Sequence, residues 1–169
     1  MNSEVYAVIV MGLPGTGKTY FAKRLADKIK AVHLGSDQLR MKLISERTYS
    51  TSEKTKIYEQ LLTKTLETLS SGQSVVADAT FYLKSFRKKF ISEISRLGIY
   101  PRIILIQASE QTVRDRIRLK RQDSEADFLV YKQVRDLFEP VSENKLVLDT
   151  DSNSIEECID KALKYLKNG

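Results

Sequence analysis

An α/β fold built on a parallel sheet is what this 169-residue chain predicts. Three observations predict it. Short apolar runs of strand length alternate with longer segments whose apolar residues recur at helical spacing. One of those runs, Arg102-Ile103-Ile104-Leu105-Ile106-Gln107, is apolar almost throughout, as a strand covered on both faces must be. A glycine-rich octapeptide, Gly12-Leu13-Pro14-Gly15-Thr16-Gly17-Lys18-Thr19, stands between the first apolar run and the first helical segment. Parallel strands need right-handed crossovers, which place helices on both faces of the sheet.

The first strand is predicted over residues 5–11. The octapeptide that follows fits G-x-x-x-x-G-K-[ST], a phosphate-binding loop. Its glycines let the backbone fold back and aim N–H groups at phosphate oxygens, and the following helix adds partial positive charge at its N-terminus. That helix is predicted over residues 18–30, with Phe21, Leu25 and Ile29 on one side. In such a loop the lysine, Lys18, reaches the β- and γ-phosphates of ATP, and the Thr19 hydroxyl ligates Mg²⁺. A short strand over residues 31–34 carries the single histidine, His33, which has no sequence neighbours that would complete a zinc site. Ser36 is expected to cap a helix that starts near Asp37. Residues 45–52 are expected to form a loop, and residues 52–69 a long helix closed by Gly72.

The next strand, residues 74–78, ends in a carboxylate. Residues 84–97 are predicted helical, with Phe86, Phe90, Ile91, Ile94 and Leu97 inward; Lys84, Arg87, Lys88 and Lys89 are expected to be its solvated face. After the strand at 102–107, Ser109 is expected to cap a helix rich in cations: Arg114, Arg116, Arg118, Lys120 and Arg121. A second helix over 126–138 returns from it. The two form a hairpin over about 114–138 whose tip would close over a nucleotide as a lid, its arginines meeting charge on the transferred phosphoryl group. A last strand (145–149) and a last helix (154–166), with Cys158 on its apolar face, complete the order.

Composition bounds the remaining classes. One domain, 1–169, is expected from the length. Hydrophobic content of 41% and charged content of 30% suit a soluble globular chain. No apolar stretch approaches the ~20 residues that span a bilayer, so no membrane partner is expected. The first residues lack the basic segment of a signal peptide, which predicts a cytoplasmic location. A lone cysteine excludes an internal disulfide. The net charge of +6 suits anionic partners, nucleotides or nucleic acid. It leaves the oligomeric state open.

The remaining positions narrow the phosphate-loop chemistry. A GTPase needs Asn-Lys-x-Asp to read guanine; the nearest string is Asn144-Lys145-Leu146-Val147. A transporter ATPase needs a signature loop far downstream, and Leu69-Ser70-Ser71-Gly72-Gln73 lies too close to the first loop. A small phosphotransferase remains. Parallel strands gather their ends at one edge, so Asp37 should stand near the γ-phosphate and act as the base that orients an acceptor hydroxyl. Arg40, one turn on, would hold an anionic part of the acceptor. Asp78, at a strand tip, would order Mg²⁺, and Thr80 would begin the acceptor pocket. Two other readings stay open: a nucleotide-binding regulatory module without turnover, and an ATPase that uses water.

With those pieces in place the chain resembles the P-loop kinases of the nucleoside-monophosphate-kinase-like group. It is similar in particular to small ATP-binding kinases labelled as AAA domains, to polynucleotide kinase domains and to zeta-toxin-type kinases. Gly12 to Thr19, Ser36-Asp37-Gln38-Leu39-Arg40, Asp78-Ala79-Thr80 and the stretch from Arg116 to Asp127 running on to Phe138-Glu139-Pro140 carry the resemblance. It implies a five-stranded parallel sheet in the order 2-3-1-4-5. It also implies that Asp37 activates the acceptor, that Arg40 contacts a substrate phosphate, and that Arg116 and Arg121 are lid arginines. The acceptors it implies are a polynucleotide 5′-hydroxyl, a nucleotide-sugar or a small metabolite. The lid string Ser124-Glu125-Ala126-Asp127 departs from the group's usual serine-aspartate-alanine.

Overall fold

Apolar alternation along the central strand decides how the layers form. In β1 (Ala7–Met11), Ala7, Ile9 and Met11 face one core, while Val8 and Val10 face the other. Period-2 side-chain direction makes this unavoidable, and all five residues are buried. The computed structural model describes residues 4–46, 48, 50–120 and 124–168, with backbone alone for 124–126. Strands β1, β2 (Val32–Gly35), β3 (Val75–Asp78), β4 (Arg102–Gln107) and β5 (Leu146–Asp149) form one parallel sheet in the order β2-β3-β1-β4-β5. This is the order that the resemblance implied.

One face is covered by α3 (Thr51–Ser70) and α4 (Lys84–Ser95), through Ile57, Leu61, Phe90 and Ile94. The other is covered by α1 (Lys18–Ile29) and α7 (Ile155–Lys167), through Phe21, Leu25, Cys158 and Ala162. The short α2 (Ser36–Leu43) leads from β2, and its Leu39 joins the first core. Helices α5 (Glu110–Lys120) and α6 (Ser124–Leu137) form the expected hairpin around Val113, Ile117, Phe128 and Tyr131. Among the described residues, no helix is long and apolar enough to cross a membrane.

Helix ends follow local chemistry. Ser154 caps α7 in a full capping box with Glu157, and Ser50 caps α3 by accepting from the Glu53 N–H. Ser109 accepts from the Thr112 N–H at the start of α5, as expected. Ser36 does not cap: it is already helical, Gly35 holds the cap position in an extended conformation, and the cap has no side-chain bond. The strand simply runs into the helix.

Two expectations for α4 are corrected. Leu97 lies beyond the end of the helix and is exposed, because the helix stops at Ser95 before that residue can turn inward. Arg87 is not solvated but wholly buried. Its Nη1 donates to the carbonyls of Phe81 (2.8 Å) and Tyr82 (3.4 Å) and its Nη2 to Pro140 (2.7 Å), while Nε pairs with Glu143 at 3.3 Å. One guanidinium thus pins the segment after β3 to the segment after α6. The five donors of a planar fork allow this; an ammonium could not span the same set. Lys84, Lys88 and Lys89 do form the exposed face that was expected.

Removal of the guanidinium would leave the largely buried Glu143 carboxylate without its cation and take this donor from the Phe81 and Pro140 carbonyls, while the Tyr82 carbonyl keeps the Glu139 N–H. Arg87→Ala is therefore expected to lose about 3–5 kcal/mol of stability in urea denaturation, the scale for breaking a buried pair. A loss within 1 kcal/mol of zero, on the order of an exposed pair, would refute the assignment.

Candidate nucleotide and phosphoryl-transfer site

The site assembles because three strand ends fall in register. Val10 of β1 pairs with Asp78 of β3, which pairs with Gly35 of β2. The phosphate loop therefore leaves β1, and α2 leaves β2, on either side of the Asp78 carboxylate. This is the carboxyl edge where open parallel sheets bind ligands.

The loop's glycines are required by its geometry. Gly12 has φ +152°, and a Cβ there would lie 2.4 Å from the Ile106 carbonyl oxygen. Gly15 has φ +79°, and its Cβ would lie 2.8 Å from Val113 Cγ1 in α5. Gly17, at φ +93°, is the N-cap of α1, so the loop passes directly into the helix whose first residues are Lys18 and Thr19. Within the loop the Thr16 hydroxyl donates to the Leu13 carbonyl at 2.8 Å, and Leu13 packs against the hairpin. Pro14 is half-buried. The Gly12 N–H donates to the Thr80 carbonyl at 3.4 Å, which joins the phosphate loop to the segment after Asp78.

Asp78 is buried, and its Oδ2 lies 3.1 Å from His33 Nε2. His33 is therefore not isolated, as its sequence neighbours had implied. β2 and β3 are adjacent, and that adjacency brings a distant histidine to the strand tip. Among the described residues no group of three or more His, Cys, Asp or Glu side chains could hold a metal ion by itself. The Thr19 hydroxyl and the Asp78 carboxylate are both hard oxygen donors. Such a donor set fits Mg²⁺, which binds one or two protein groups and completes its shell with phosphates and water.

On the other side of the edge, Asp37 is exposed in the first turn of α2. Arg40 Nη1 donates to Asp37 Oδ1 at 2.8 Å, and Arg40 Nε donates to Glu53 Oε1 at 3.2 Å. Glu53 is buried and also accepts from the Thr48 N–H and hydroxyl, both at 2.7 Å. Thr80 stands next to Tyr58, whose hydroxyl lies 3.1 Å from Thr80 Oγ1 and accepts from the Phe81 N–H at 2.7 Å. Burial pushes the Tyr58 phenol far above its ordinary pKa, so it stays a neutral hydrogen-bonding group. Phe81 itself is left-handed, with φ 51°. An aromatic residue held there is strained, and buried bonds to both its N–H and its carbonyl keep it so.

Arg116 reaches the phosphate loop from its carbonyl side. Nη1 donates to the carbonyls of Gly15 (3.4 Å) and Thr16 (3.0 Å) and to Thr150 Oγ1 (3.0 Å); Nη2 donates to the Thr150 carbonyl (3.3 Å). Arg121, the second expected lid arginine, lies outside the described residues, as do Gln122 and Asp123. Arg114 stacks on Phe128, with its guanidinium carbon 3.9 Å from the ring centroid. A pocket of about 290 Å³ opens beside Gly17, lined by Tyr20, Phe21, Arg116, Thr150, Asn153, Ile155 and Cys158. Tyr58, Glu53 and Thr150 were not singled out by the sequence. No motif marks them, since each acts through a partner far along the chain.

Sheet order and phosphate loop together define a P-loop fold, and comparison with known proteins gives its class as kinase. Residues 8–141 match a family described as an AAA domain, and the chain belongs to that family. A probable thymidylate kinase of Methanocaldococcus jannaschii is 29% identical, with 95% of each chain covered. A shikimate kinase of Enterococcus faecalis is 25% identical, covering 95% of this chain and 98% of the other. The APS kinase of Mycobacterium tuberculosis, solved with AMPPNP and APS, superposes with a TM-score of 0.79 at 18% identity, covering 98% of this chain and all of the other. The chain is a phosphotransferase of this P-loop kinase type.

Gly15→Ala tests the loop geometry. The left-handed φ and the Val113 contact together should cost about 1–3 kcal/mol of the nucleotide-ready conformation. Calorimetry with AMPPNP should show binding weakened by about tenfold or more while circular dichroism is unchanged. Val113→Ala in the same chain should restore part of the loss, because it removes the 2.8 Å contact but not the φ strain.

Proposed function

We propose that this protein transfers the γ-phosphoryl group of ATP to a hydroxyl of a small molecule. The observation that carries the reading is the convergence of the phosphate loop, Asp78 and the Asp37–Arg40 pair on one sheet edge. In this reading the loop amides and Lys18 hold the triphosphate, and the base lies in the pocket beside Gly17. Thr19 and Asp78 would hold Mg²⁺, which supplies neutralisation of phosphate charge when bound. The acceptor oxygen forms a bond to the γ-phosphorus as the β–γ bridging P–O bond breaks and ADP leaves. The hydroxyl proton passes to the Asp37 carboxylate, which is exposed and so open to an incoming acceptor.

Arg40 would orient Asp37 and contact an anionic group of the acceptor; its bond to buried Glu53 supports the first role. Thr80, held by Tyr58, would contact the acceptor from the other side of Asp78. Arg116 braces the donor loop, and Arg121 would meet charge on the moving group. The relatives' names, thymidylate, shikimate and APS kinase, favour a small acceptor over a polynucleotide end.

Two variants test the assignment. Lys18→Ala should abolish tight ATP binding in calorimetry with the fold intact; unchanged affinity and turnover would sink the donor assignment. Asp37→Asn should spare ATP binding and lower turnover by about 10²–10⁴, the scale for a lost general base. The acceptor for that assay comes from a panel of hydroxylated metabolites, nucleotide-sugars and 5′-hydroxyl oligonucleotides with γ-labelled ATP. Near-normal transfer by the variant would reduce Asp37 to a helix-end charge.

A further inference from the structure

The pocket beside Gly17 is lined mainly by apolar surface, and its Arg116, Thr150 and Asn153 side chains turn hydrogen bonds into the fold. Thr150 Oγ1 donates to the Thr16 carbonyl at 2.9 Å and accepts from Arg116 at 3.0 Å. Both terminal nitrogens of Arg116 are committed to the Gly15, Thr16 and Thr150 oxygens. Asn153 uses both ends of its amide: Nδ2 donates to the Asp149 carbonyl at 2.8 Å, and Oδ1 accepts from Lys161.

Four N–H groups of the same loop are engaged too. The N–H groups of Thr150, Asp151, Asn153 and Ser154 donate to Gln107 O, Asp149 Oδ1, Asp149 O and Glu157 Oε2 respectively. The Asp151 carboxylate accepts from the Ser109 N–H at 2.9 Å, and bonds from Ser109 and Thr112 hold its carboxyl below the usual range. Among the described residues, the surfaces these walls offer a ring are the Arg116 plane and Tyr20, which is more than half exposed and whose ring carries Arg24 at 4.8 Å; Phe21 is buried behind them.

Adenine and guanine share a ring shape and differ in the hydrogen-bonding groups at three edge positions, 1, 2 and 6. A site whose buried partners must be matched at those positions rejects the wrong base by orders of magnitude, because mismatch leaves a buried group unpaired. Stacking is tolerant, since every base has a π-face. We infer that the donor pocket takes purine nucleoside triphosphates by shape and stacking and discriminates weakly between adenine and guanine. This inference rests on the reading of the pocket as the base site of a phosphoryl donor.

Calorimetry on the full chain in Mg²⁺ tests it with AMPPNP, GMPPNP and inorganic tripolyphosphate, and needs no acceptor. The two nucleotides should bind within about thirtyfold of each other, inside the range that apolar pockets reach without edge-specific bonds. Tripolyphosphate should bind about tenfold or more weakly than either, since it leaves the stacking surface empty. A purine preference wider than thirtyfold would overturn the inference and leave the donor assignment standing. Tripolyphosphate binding as tightly as AMPPNP would overturn it by showing that the pocket holds no base. Failure of all three ligands to bind would overturn the donor assignment and the inference with it.

Discussion

Everything at the functional edge depends on the absence of a side chain at Gly12. The chain leaves β1 there and must turn over the end of the sheet within contact of β4. A Cβ would sit 2.4 Å from a backbone carbonyl that cannot move without breaking β4. Because that position is empty, the loop can lie flat against the strand ends, donate from Gly12 to Thr80 and deliver Lys18 and Thr19 at the first turn of α1. The positive φ values at Gly15 and Gly17 extend the same requirement along the loop.

The α5–α6 hairpin is fixed at both roots by arginines of different kinds. At the start, Arg116 and Val113 of α5 sit against the phosphate loop, one by hydrogen bonds and the other by packing on Gly15. At the exit, the Glu139 N–H donates to the Tyr82 carbonyl, Lys84 N–H donates to the Glu139 carboxylate, and Arg87 reaches Pro140 and Glu143. The first root meets the phosphate loop, the second the segment that carries Thr80 and Phe81. Both roots of the hairpin are therefore tied down, one to the phosphate loop and the other to the segment after β3.

The cluster of Asp37, Arg40 and Glu53 shows how an exposed charge can be held by a buried one. Arg40 bridges an exposed carboxylate and a buried one, and the buried one is tied down by Thr48 and by the start of α3. Glu53 thus fixes Arg40, and Arg40 fixes Asp37. The cost of burying Glu53 is offset by several hydrogen bonds, the condition under which buried charge is tolerated. His33 plays a comparable part beside Asp78, limiting the carboxylate's freedom at a strand tip where orientation matters.

The amino-acid order determined by itself the fold class, the alternation of elements, the phosphate loop and the candidate residues Asp37 and Asp78. Those are local signals: a motif of fixed spacing, periodic apolar residues, carboxylates at strand ends. It also read Arg87 as a surface charge, His33 as isolated, Ser36 as a cap and Leu97 as inward-facing. Each of those depends on something the local pattern does not contain. A basic residue on a helix looks the same whether or not a distant glutamate and three carbonyls converge on it. Strand order alone put His33 beside Asp78, and packing of the hairpin together with the pairing of β5 on β4 put Arg116 and Thr150 beneath the phosphate loop. Side-chain partners far apart in sequence are chosen by topology, because the chain must close its sheet and cover both faces before those groups can meet.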